Sequence, residues 1–299
     1  MKPFDIVLGV IVAVTWGLGL TLAKAALGEF PPILLTAFRF SVTALALVWF
    51  VKPPLGQMRR ILVISFVIST VQYSLTFTGL AGVDASTAAI VIQLEVPFAA
   101  LLAAVFLGDR IGLWRIGGML LAFAGVALIA GQPQMQDELL PLLLVLAGAF
   151  VWAVGNILVK TLDGAVDGFR LIAWLAVFSA PQLFIASFLL EDGQAAAIAG
   201  AGWLTWGVIL YLGLVMTAFG YGLWFHLLNR HPVSHVMPFL LLLPVTAMIS
   251  AVLLLDEIVT LVTVAGAALV LTGVGTIMYR QARRAGVPAP AAPEGVPPD

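Results

Sequence analysis

Apolar runs separated by short polar breaks divide nearly the whole chain into segments of membrane-spanning length. A helical run of about 20 residues, rising about 1.5 Å per residue, crosses the roughly 30 Å hydrocarbon core of a bilayer. The breaks carry helix-ending residues, among them Pro31-Pro32, Pro53-Pro54 and His231-Pro232. The pattern predicts ten spans, at residues 5–27, 32–51, 61–80, 86–107, 112–130, 139–160, 170–190, 205–228, 234–255 and 260–279.

An internal repeat relates the two halves of the chain. Positions 73, 86, 118 and 125 hold Tyr, Ser, Gly and Gly, and the same residue types return 148 positions later. The spacing W-x7-K from Trp16 to Lys24 returns at Trp152 and Lys160, at an offset of 136, because an insertion around 191–202 lengthens the second copy.

Ten spans in two copies give five helices each, and an odd number inverts the second copy in the membrane. The predicted fold is therefore an all-α polytopic membrane protein, with two inverted five-helix repeats around a central cavity. The first repeat is predicted at 1–131 and the second at 132–281, followed by a disordered, Pro-rich cytoplasmic tail at 282–299.

Composition supports a membrane protein and excludes several kinds of chemistry. The chain is 62% hydrophobic and 10% charged, whereas an average soluble domain has about 25% charged residues. It has no cysteine, which excludes disulfides and thiolate sites. No glycine-rich phosphate loop, H-E-x-x-H or G-x-S-x-G motif is present, so we predict no enzyme, no cofactor and no metal site. The scattered basic residues argue against nucleic acid as a partner.

The positive charges predict an orientation. If the N-terminus is cytoplasmic, the outer loops contain no Lys or Arg, and Lys24 and Arg39 lie within spans. The positive-inside rule then places both termini in the cytoplasm, and we expect a multi-pass protein of the bacterial inner membrane. The other twelve Lys and Arg residues all fall on the inner side: Lys2, Lys52, Arg59, Arg60, Arg110, Arg115, Lys160, Arg170, Arg230, Arg280, Arg283 and Arg284.

Aromatic and polar side chains near the middle of spans are candidates for a binding site, because in hydrocarbon a polar group must find a partner or line water. Trp16 and its counterpart Trp152 lie near mid-membrane, and Asn156 shares a helical face with Trp152. Tyr221 and Trp224 add aromatic rings on the eighth helix. The alternative is that the tryptophans face lipid or only pack between helices.

The third helix carries a polar stripe. Its members fall on one face, with Tyr73 beside it, and predict a cavity wall: Ser65, Ser69, Gln72 and Thr76. The alternative interpretation is hydrogen bonding by Ser and Thr between helices, which contributes only about 0.6 kcal/mol on average.

The fourth helix contains a buried acid, Glu95, with Gln93 and Pro97 close by. Glu95 lies at a depth similar to that of Arg39 on the second helix, which predicts a structural Arg39–Glu95 ion pair. The alternative is that Glu95 binds a substrate ammonium or a proton. Pro97 and Pro244, in corresponding helices of the two repeats, are expected to kink them beside the site.

The motifs together resemble the EamA branch of the drug/metabolite transporter superfamily, over residues 5–280. They comprise the Trp16–Lys24 spacing, the two prolines, and an acid followed by two spaced glycines at Asp109–Gly125 and Glu257–Gly273. Those glycines favour close helix packing or a dimer contact. Within the superfamily the chain is most similar to the bacterial YddG-type amino-acid exporters. The resemblance implies a helical body with a central cavity and export of aromatic and other neutral amino acids.

We therefore predict a secondary-active exporter of amino acids that works by alternating access. Its partners would be a small-molecule substrate and the lipid bilayer, and the oligomeric state is left open. An exporter of drugs or other small metabolites is the alternative, and a non-transporting membrane scaffold is a further one. The expected substrate-binding residues are Trp16, Gln72, Tyr73, Thr76, Gln93, Glu95, Trp152, Asn156, Tyr221 and Trp224.

Overall fold

Ten long helices account for most of the chain in a computed structural model, which describes residues 1–107, 112–132, 135 and 137–285. All ten are long and apolar enough to cross a membrane. The described residues contain no β-strand. The helices are α1 Pro3–Ala26, α2 Pro32–Phe50, α3 Leu55–Gly82, α4 Ala85–Phe106, α5 Leu113–Ala130, α6 Leu139–Lys160, α7 Gly168–Leu190, α8 Trp203–Arg230, α9 Met237–Leu255 and α10 Leu261–Ala285.

The ten predicted spans are confirmed, and their ends differ by a few residues. Both α3 and α8 extend to 28 residues, because polar turns at their ends continue the helical path. The inserted segment between α7 and α8 forms a short helix, Gln194–Gly200. The first residues of the predicted tail continue α10 as far as Ala285. The rest of that tail, at 286–299, lies outside the described residues, as does Asp109.

Short loops join consecutive helices, so the helices alternate in direction and the body has two ends. The N-terminus and the end of α10 lie at the same end, which we call the terminal face. The other end is the opposite face, where α1 ends and α2 begins. Hydrogen bonds between helix ends agree with this division. At the terminal face, Arg60 of α3 donates to the carbonyl of Thr161, 3.0 Å away. Lys24 of α1 donates to Leu80 and Ala81 at the opposite face.

The inverted repeat is visible in matched contacts. A Cβ at Gly19 of α1 would overlap the side chain of Met216 on α8, and a Cβ at Gly155 of α6 would overlap Ile68 on α3. Gly155 follows Gly19 by 136 positions and Met216 follows Ile68 by 148, which are the two offsets of the sequence repeat. A contact between a glycine of one repeat and a long apolar side chain of the other therefore occurs twice, at positions related by the repeat.

The third and eighth helices share a second feature. Each contains a stretch of π-helix, over Phe66–Val71 in α3 and Tyr211–Phe219 in α8. Under the 148-residue offset the first stretch falls within the second, and the two end at equivalent positions. A π-helical turn displaces the backbone hydrogen bonds and is frequent at functional sites. Here both turns lie in the middle of the membrane span.

The glycine motifs of α5 and α10 form a close contact within the chain. A Cβ added to Gly118 would lie 2.7 Å from the carbonyl oxygen of Gly273, and one added to Gly125 would lie 2.6 Å from that of Gly266. Only glycine allows the two backbones to approach this closely. Of the two expected roles, the structure shows close packing between helices of the same chain.

Packing differs between the two ends of the body. One large cluster of buried apolar residues joins the opposite-face halves of α1, α3, α4, α6, α8 and α9. At the terminal face the packing is divided. One cluster lies on α3, α6 and α7 around Ile61, Ile64 and Leu171, and a separate one lies on α1, α8 and α9 around Val12, Leu227 and Val236. Apolar packing is therefore continuous at the opposite face, whereas the terminal face also contains separate clusters.

Candidate functional site

A buried arginine lies at the centre of the body. Arg39 of α2 is 1% exposed, and its Nε donates to the hydroxyl of Thr217 in the π-helical turn of α8, 3.0 Å away. Its Nη2 donates to the Tyr73 hydroxyl at 3.4 Å, and its Cζ lies 4.7 Å from the centre of the Tyr73 ring. The guanidinium is therefore held by α3 and α8, one helix from each repeat.

The predicted Arg39–Glu95 ion pair is not formed. Among the described residues the ion pairs are Arg170–Asp167 and His231–Asp5, and neither includes Arg39. The hydroxyl of Thr217 and the ring of Tyr73 occupy the places next to the guanidinium. Equal depth along two helices, on which the prediction rested, leaves open the direction in which each side chain points.

An aromatic cluster adjoins the arginine. The ring centres of Trp16 and Tyr221 are 4.9 Å apart, and those of Trp16 and Trp224 are 5.6 Å apart. The indole nitrogen of Trp16 donates to the carbonyl of Met216, 3.0 Å away, within the π-helical turn of α8. Met216 precedes Thr217, which accepts from Arg39, so the aromatic cluster and the arginine meet at this turn. Three predicted site residues, Trp16, Tyr221 and Trp224, are thus brought together.

The polar stripe of α3 is used in two ways. Its end at the terminal face packs against α7, where Gln182 donates to the Ser65 hydroxyl at 3.2 Å and accepts from Thr70 at 2.7 Å. This agrees with the alternative interpretation, hydrogen bonding between helices. Nearer the middle, the amide nitrogen of Gln72 donates to Thr76 at 2.9 Å, and the Gln72 carbonyl oxygen is buried without a partner among the described residues.

The two repeat-related tryptophans have different surroundings. Trp152 packs against the cluster of α3, α6 and α7 at the terminal face, whereas Trp16 lies in the central aromatic group. Asn156 is exposed, although Ala149 and Ala153 are 2% and 0% exposed. Ala149 and Asn156 are seven residues apart and share a helical face. The side chains of that face therefore change from buried to exposed toward the terminal face.

Gln93 is held in a contact between the repeats. Pro244 of α9 has no N–H to donate to the carbonyl of Leu240 four residues earlier. The side-chain amide of Gln93 donates to the Leu240 carbonyl at 3.1 Å. Gln93 itself lies at an interruption of α4 between Ile92 and Glu95, four residues before Pro97. The structure therefore gives Gln93 a packing contact instead of a free amide.

Three carboxylates at the opposite face cap helices of the other repeat. Glu257 accepts from the backbone N–H groups of Ala85 and Ser86 at 2.6 and 3.1 Å, and from the Ser86 hydroxyl at 2.7 Å. Glu191 accepts from the first N–H groups of α2, at 2.6 and 3.0 Å, and Glu29 from Gly202, which precedes α8, at 3.0 Å. A carboxylate at a helix N-terminus satisfies unpaired donors and complements the helix dipole.

The pKa shifts at this face follow from these contacts. Burial, and then the neighbouring Glu257 carboxylate, raise the pKa of Asp84 above its ordinary value of 3.8, while Lys24 opposes the rise. Burial, followed by Asp84, likewise raises the pKa of Glu138. The hydrogen bond from the Thr205 side chain, and then that from the Gly202 N–H, lower the pKa of Glu29. The opposite face thus contains acids with a raised pKa, Asp84 and Glu138, and one with a lowered pKa, Glu29.

Sequence reasoning missed Thr217, Gln182 and the capping role of Glu257. Thr217 lies 148 positions after Ser69 of the polar stripe, so the repeat contained a signal for it. Gln182 is a polar residue within the seventh span, where no candidate was sought. Glu257 was recognised as the acid of the glycine motif, and its capping contact required the fold.

A model of the EamA-like transporter family matches residues 4–131 and 139–279. The chain belongs to the EamA-like transporter family. One EamA-like relative, from Escherichia coli (strain K12), is named "Probable amino-acid metabolite efflux pump"; the two are 34% identical over 91% of this chain and 94% of the relative. Another, from Streptantibioticus cattleyicolor, is named "Probable terminal-alkyne amino-acid exporter" and is 32% identical over 66% of this chain and 65% of its own length.

A solved crystal structure has the same overall fold. It is 18% identical in sequence, with a TM-score of 0.62, and the match covers 96% of this chain and 100% of that chain. The two family matches include all ten helices, so this EamA-like transporter is a multi-pass membrane protein.

Proposed function

We propose that the chain is a secondary-active carrier that exports aromatic and other neutral amino acids across the bacterial inner membrane. The observation that carries the proposal is the central group of Trp16, Tyr221 and Trp224 beside the buried Arg39. Aromatic rings provide contact area for an apolar side chain, and the charged and hydroxyl groups provide hydrogen bonds for a small polar head. The names of the two relatives above support amino acids as the substrate class.

Transport would proceed by alternating access, with the repeats at 1–131 and 132–281 moving against each other. The matched contacts of Gly19 and Gly155 support this, because a pseudo-symmetric body can adopt two related conformations around one site. The closed opposite face and the divided terminal face would be one of these two conformations.

The orientation follows from the positive-inside rule, with both termini in the cytoplasm. The terminal face, which includes the exposed Asn156, would then open to the cytoplasm. That is the side from which an exporter takes up its substrate.

The substrate would lie among the residues of the central group, with no cofactor. We assign aromatic contact to Trp16, Tyr73, Tyr221 and Trp224. Trp152 and Asn156 lie nearer the terminal face and would contact substrate on its way to the centre. Gln72 and Thr76 already bond each other, so Gln72 would contribute its free carbonyl oxygen.

Counterflow tests this proposal without an assumption about the coupling ion. Proteoliposomes preloaded with unlabelled phenylalanine are expected to take up labelled phenylalanine transiently, and other neutral amino acids are expected to compete. Trp16→Ala should reduce uptake at least tenfold, since a buried aromatic contact and a hydrogen bond to Met216 are lost. Trp49→Ala is the matched control, because Trp49 is 79% exposed.

Absence of counterflow with every amino acid tested, from folded and reconstituted protein, would contradict amino-acid transport. Counterflow of a bulky organic cation in the same vesicles would then favour a drug exporter. If Trp16→Ala and Trp49→Ala transported equally well, the central group would not be the substrate site.

A further inference from the structure

Arg39 has a hydrogen-bond donor that the protein leaves unused. Its Nη1 is buried and has no hydrogen-bond partner among the residues that the structure describes, whereas Nε and Nη2 are bonded to Thr217 and Tyr73. A buried charged group with an unpaired N–H is costly and uncommon. Because the ring of Tyr73 covers one face of the guanidinium, a partner of Nη1 would have to approach along its edge.

Glu95 provides the opposite charge and is also unpaired. Its side chain is partly exposed in the middle of α4, and no hydrogen bond or ion pair of its carboxylate is found among the described residues. Glu95 and Arg39 lie at similar depths along α4 and α2, both counted from the opposite face. They are nevertheless too far apart to form an ion pair with each other.

One charge of each sign restricts the ligand. An organic cation bound at Glu95 would leave Arg39 unpaired and be repelled by it. An organic anion bound at Arg39 would likewise leave Glu95 unpaired and be repelled by it. A zwitterion that separates its charges by a few bonds satisfies both. A free α-amino acid has this arrangement, with a carboxylate and an ammonium on one carbon.

We propose that Arg39 binds the carboxylate and Glu95 the ammonium of the transported amino acid. The carboxylate accepts from Nη1 of Arg39 and the ammonium donates to Glu95, each at about 2.8 Å, the usual length of a charge-assisted hydrogen bond. The substrate side chain then points to the rings of Trp16 and Trp224. This assignment rests on the proposed amino-acid transport and goes beyond it, because it gives Arg39 a binding role in place of an ion pair with Glu95.

The proposal predicts which half of the substrate each residue recognises. Phenylalanine, phenethylamine, which lacks the carboxylate, and 3-phenylpropionate, which lacks the ammonium, share one ring and serve as probes. The wild-type protein in detergent should bind phenylalanine at least tenfold more tightly than either analogue, measured by competition with labelled phenylalanine.

Each variant should lose one of these two preferences. Glu95→Gln removes the negative charge and keeps the size, so phenylalanine and 3-phenylpropionate should bind about equally. Arg39→Gln should abolish the preference over phenethylamine, and Arg39→Met, which also removes the charge, provides a second variant if Arg39→Gln does not fold. Arg59→Gln, at an exposed position of the terminal face, should retain both preferences.

The outcomes separate this proposal from the function on which it rests. If the wild type binds and transports phenylalanine while Glu95→Gln and the Arg39 variants without the charge keep both preferences, the charge assignment is overturned and amino-acid transport stands. If the wild type binds no amino acid, both are overturned. Loss of the ammonium preference alone in Glu95→Gln, and of the carboxylate preference alone in the Arg39 variants, supports the assignment.

Discussion

Replacing Glu257 with Gln is expected to open the opposite face. Glu257 belongs to the loop before α10, and its carboxylate accepts three hydrogen bonds from Ala85 and Ser86 at the start of α4. A glutamine has one acceptor oxygen and no charge, so it can keep only part of this cap. The cap joins the two repeats across the closed face, and an opening of that face would separate its partners.

The structure permits an estimate of the effect. Hydrogen bonds to a charged group contribute about 1.5–3 kcal/mol each, and Gln retains some of the contact, so a net loss of about 2 kcal/mol is reasonable. Since about 1.4 kcal/mol corresponds to tenfold, the ratio of closed to open protein should fall by roughly 30-fold. The estimate holds if the cap exists only in the closed state.

Thiol accessibility measures this ratio, because the chain has no cysteine of its own. Ala149→Cys places a thiol at a position 2% exposed, and it should react slowly with a small hydrophilic reagent. Adding Glu257→Gln should accelerate that reaction. Asn156→Cys is on the same helical face but exposed. This thiol should react fast in the protein that keeps Glu257 and more slowly when Glu257→Gln is added.

Asp137→Asn is the control, since Asp137 is an exposed carboxylate of the same face. If Glu257→Gln left both thiols reacting at their original rates, while the protein remained folded, the cap would have no part in holding the face closed. An equal acceleration by Asp137→Asn would instead point to a general effect of negative charge.

Three further predictions concern stability, each measured by the melting temperature in detergent. Gly118→Ala should destabilise by about 1–3 kcal/mol, because its Cβ would lie 2.7 Å from a backbone oxygen of α10, whereas Gly117→Ala, with nothing within 4 Å, should be neutral or gain up to about 1 kcal/mol. Gln93→Leu should cost about 0.5–1.5 kcal/mol by removing the hydrogen bond from the Gln93 amide to the Leu240 carbonyl. Folding raises the pKa of Asp84. The contribution of this residue to stability is therefore fully present at pH values below 3.8, the ordinary pKa of the group, and it is lost as the pH rises through the raised pKa. Asp84→Asn should therefore raise the melting temperature at neutral pH and leave it unchanged at low pH.

The ten helices could be predicted because the bilayer imposes their length and composition on the sequence. The repeat could be predicted as well, since Trp, Tyr, Ser and Gly at fixed offsets are unusual in so apolar a chain. The same reasoning could not determine the rotation of each helix about its axis. Arg39 and Glu95 therefore had matching depths in the sequence, while the structure turns Arg39 toward Thr217 and Tyr73.

The two halves also differ in a way that no repeat can reveal. Trp16 and Trp152 hold equivalent positions, yet Trp16 lies at the centre and Trp152 near the terminal face. A protein with two inverted repeats must break its symmetry whenever one face is closed and the other is not.

The contacts of the structure fall into two groups according to whether they have a counterpart in the other repeat. The contact of Gly19 with Met216 and that of Gly155 with Ile68 are equivalent, so a motion that exchanges the two faces can preserve both. The caps formed by Glu191 and Glu29 join the repeats at the opposite face alone. We infer that the paired contacts guide the motion, while the unpaired carboxylates set which conformation is favoured. Charge substitutions at the opposite face should therefore alter the balance of conformations, whereas substitutions at the paired glycines should impair folding of the body itself.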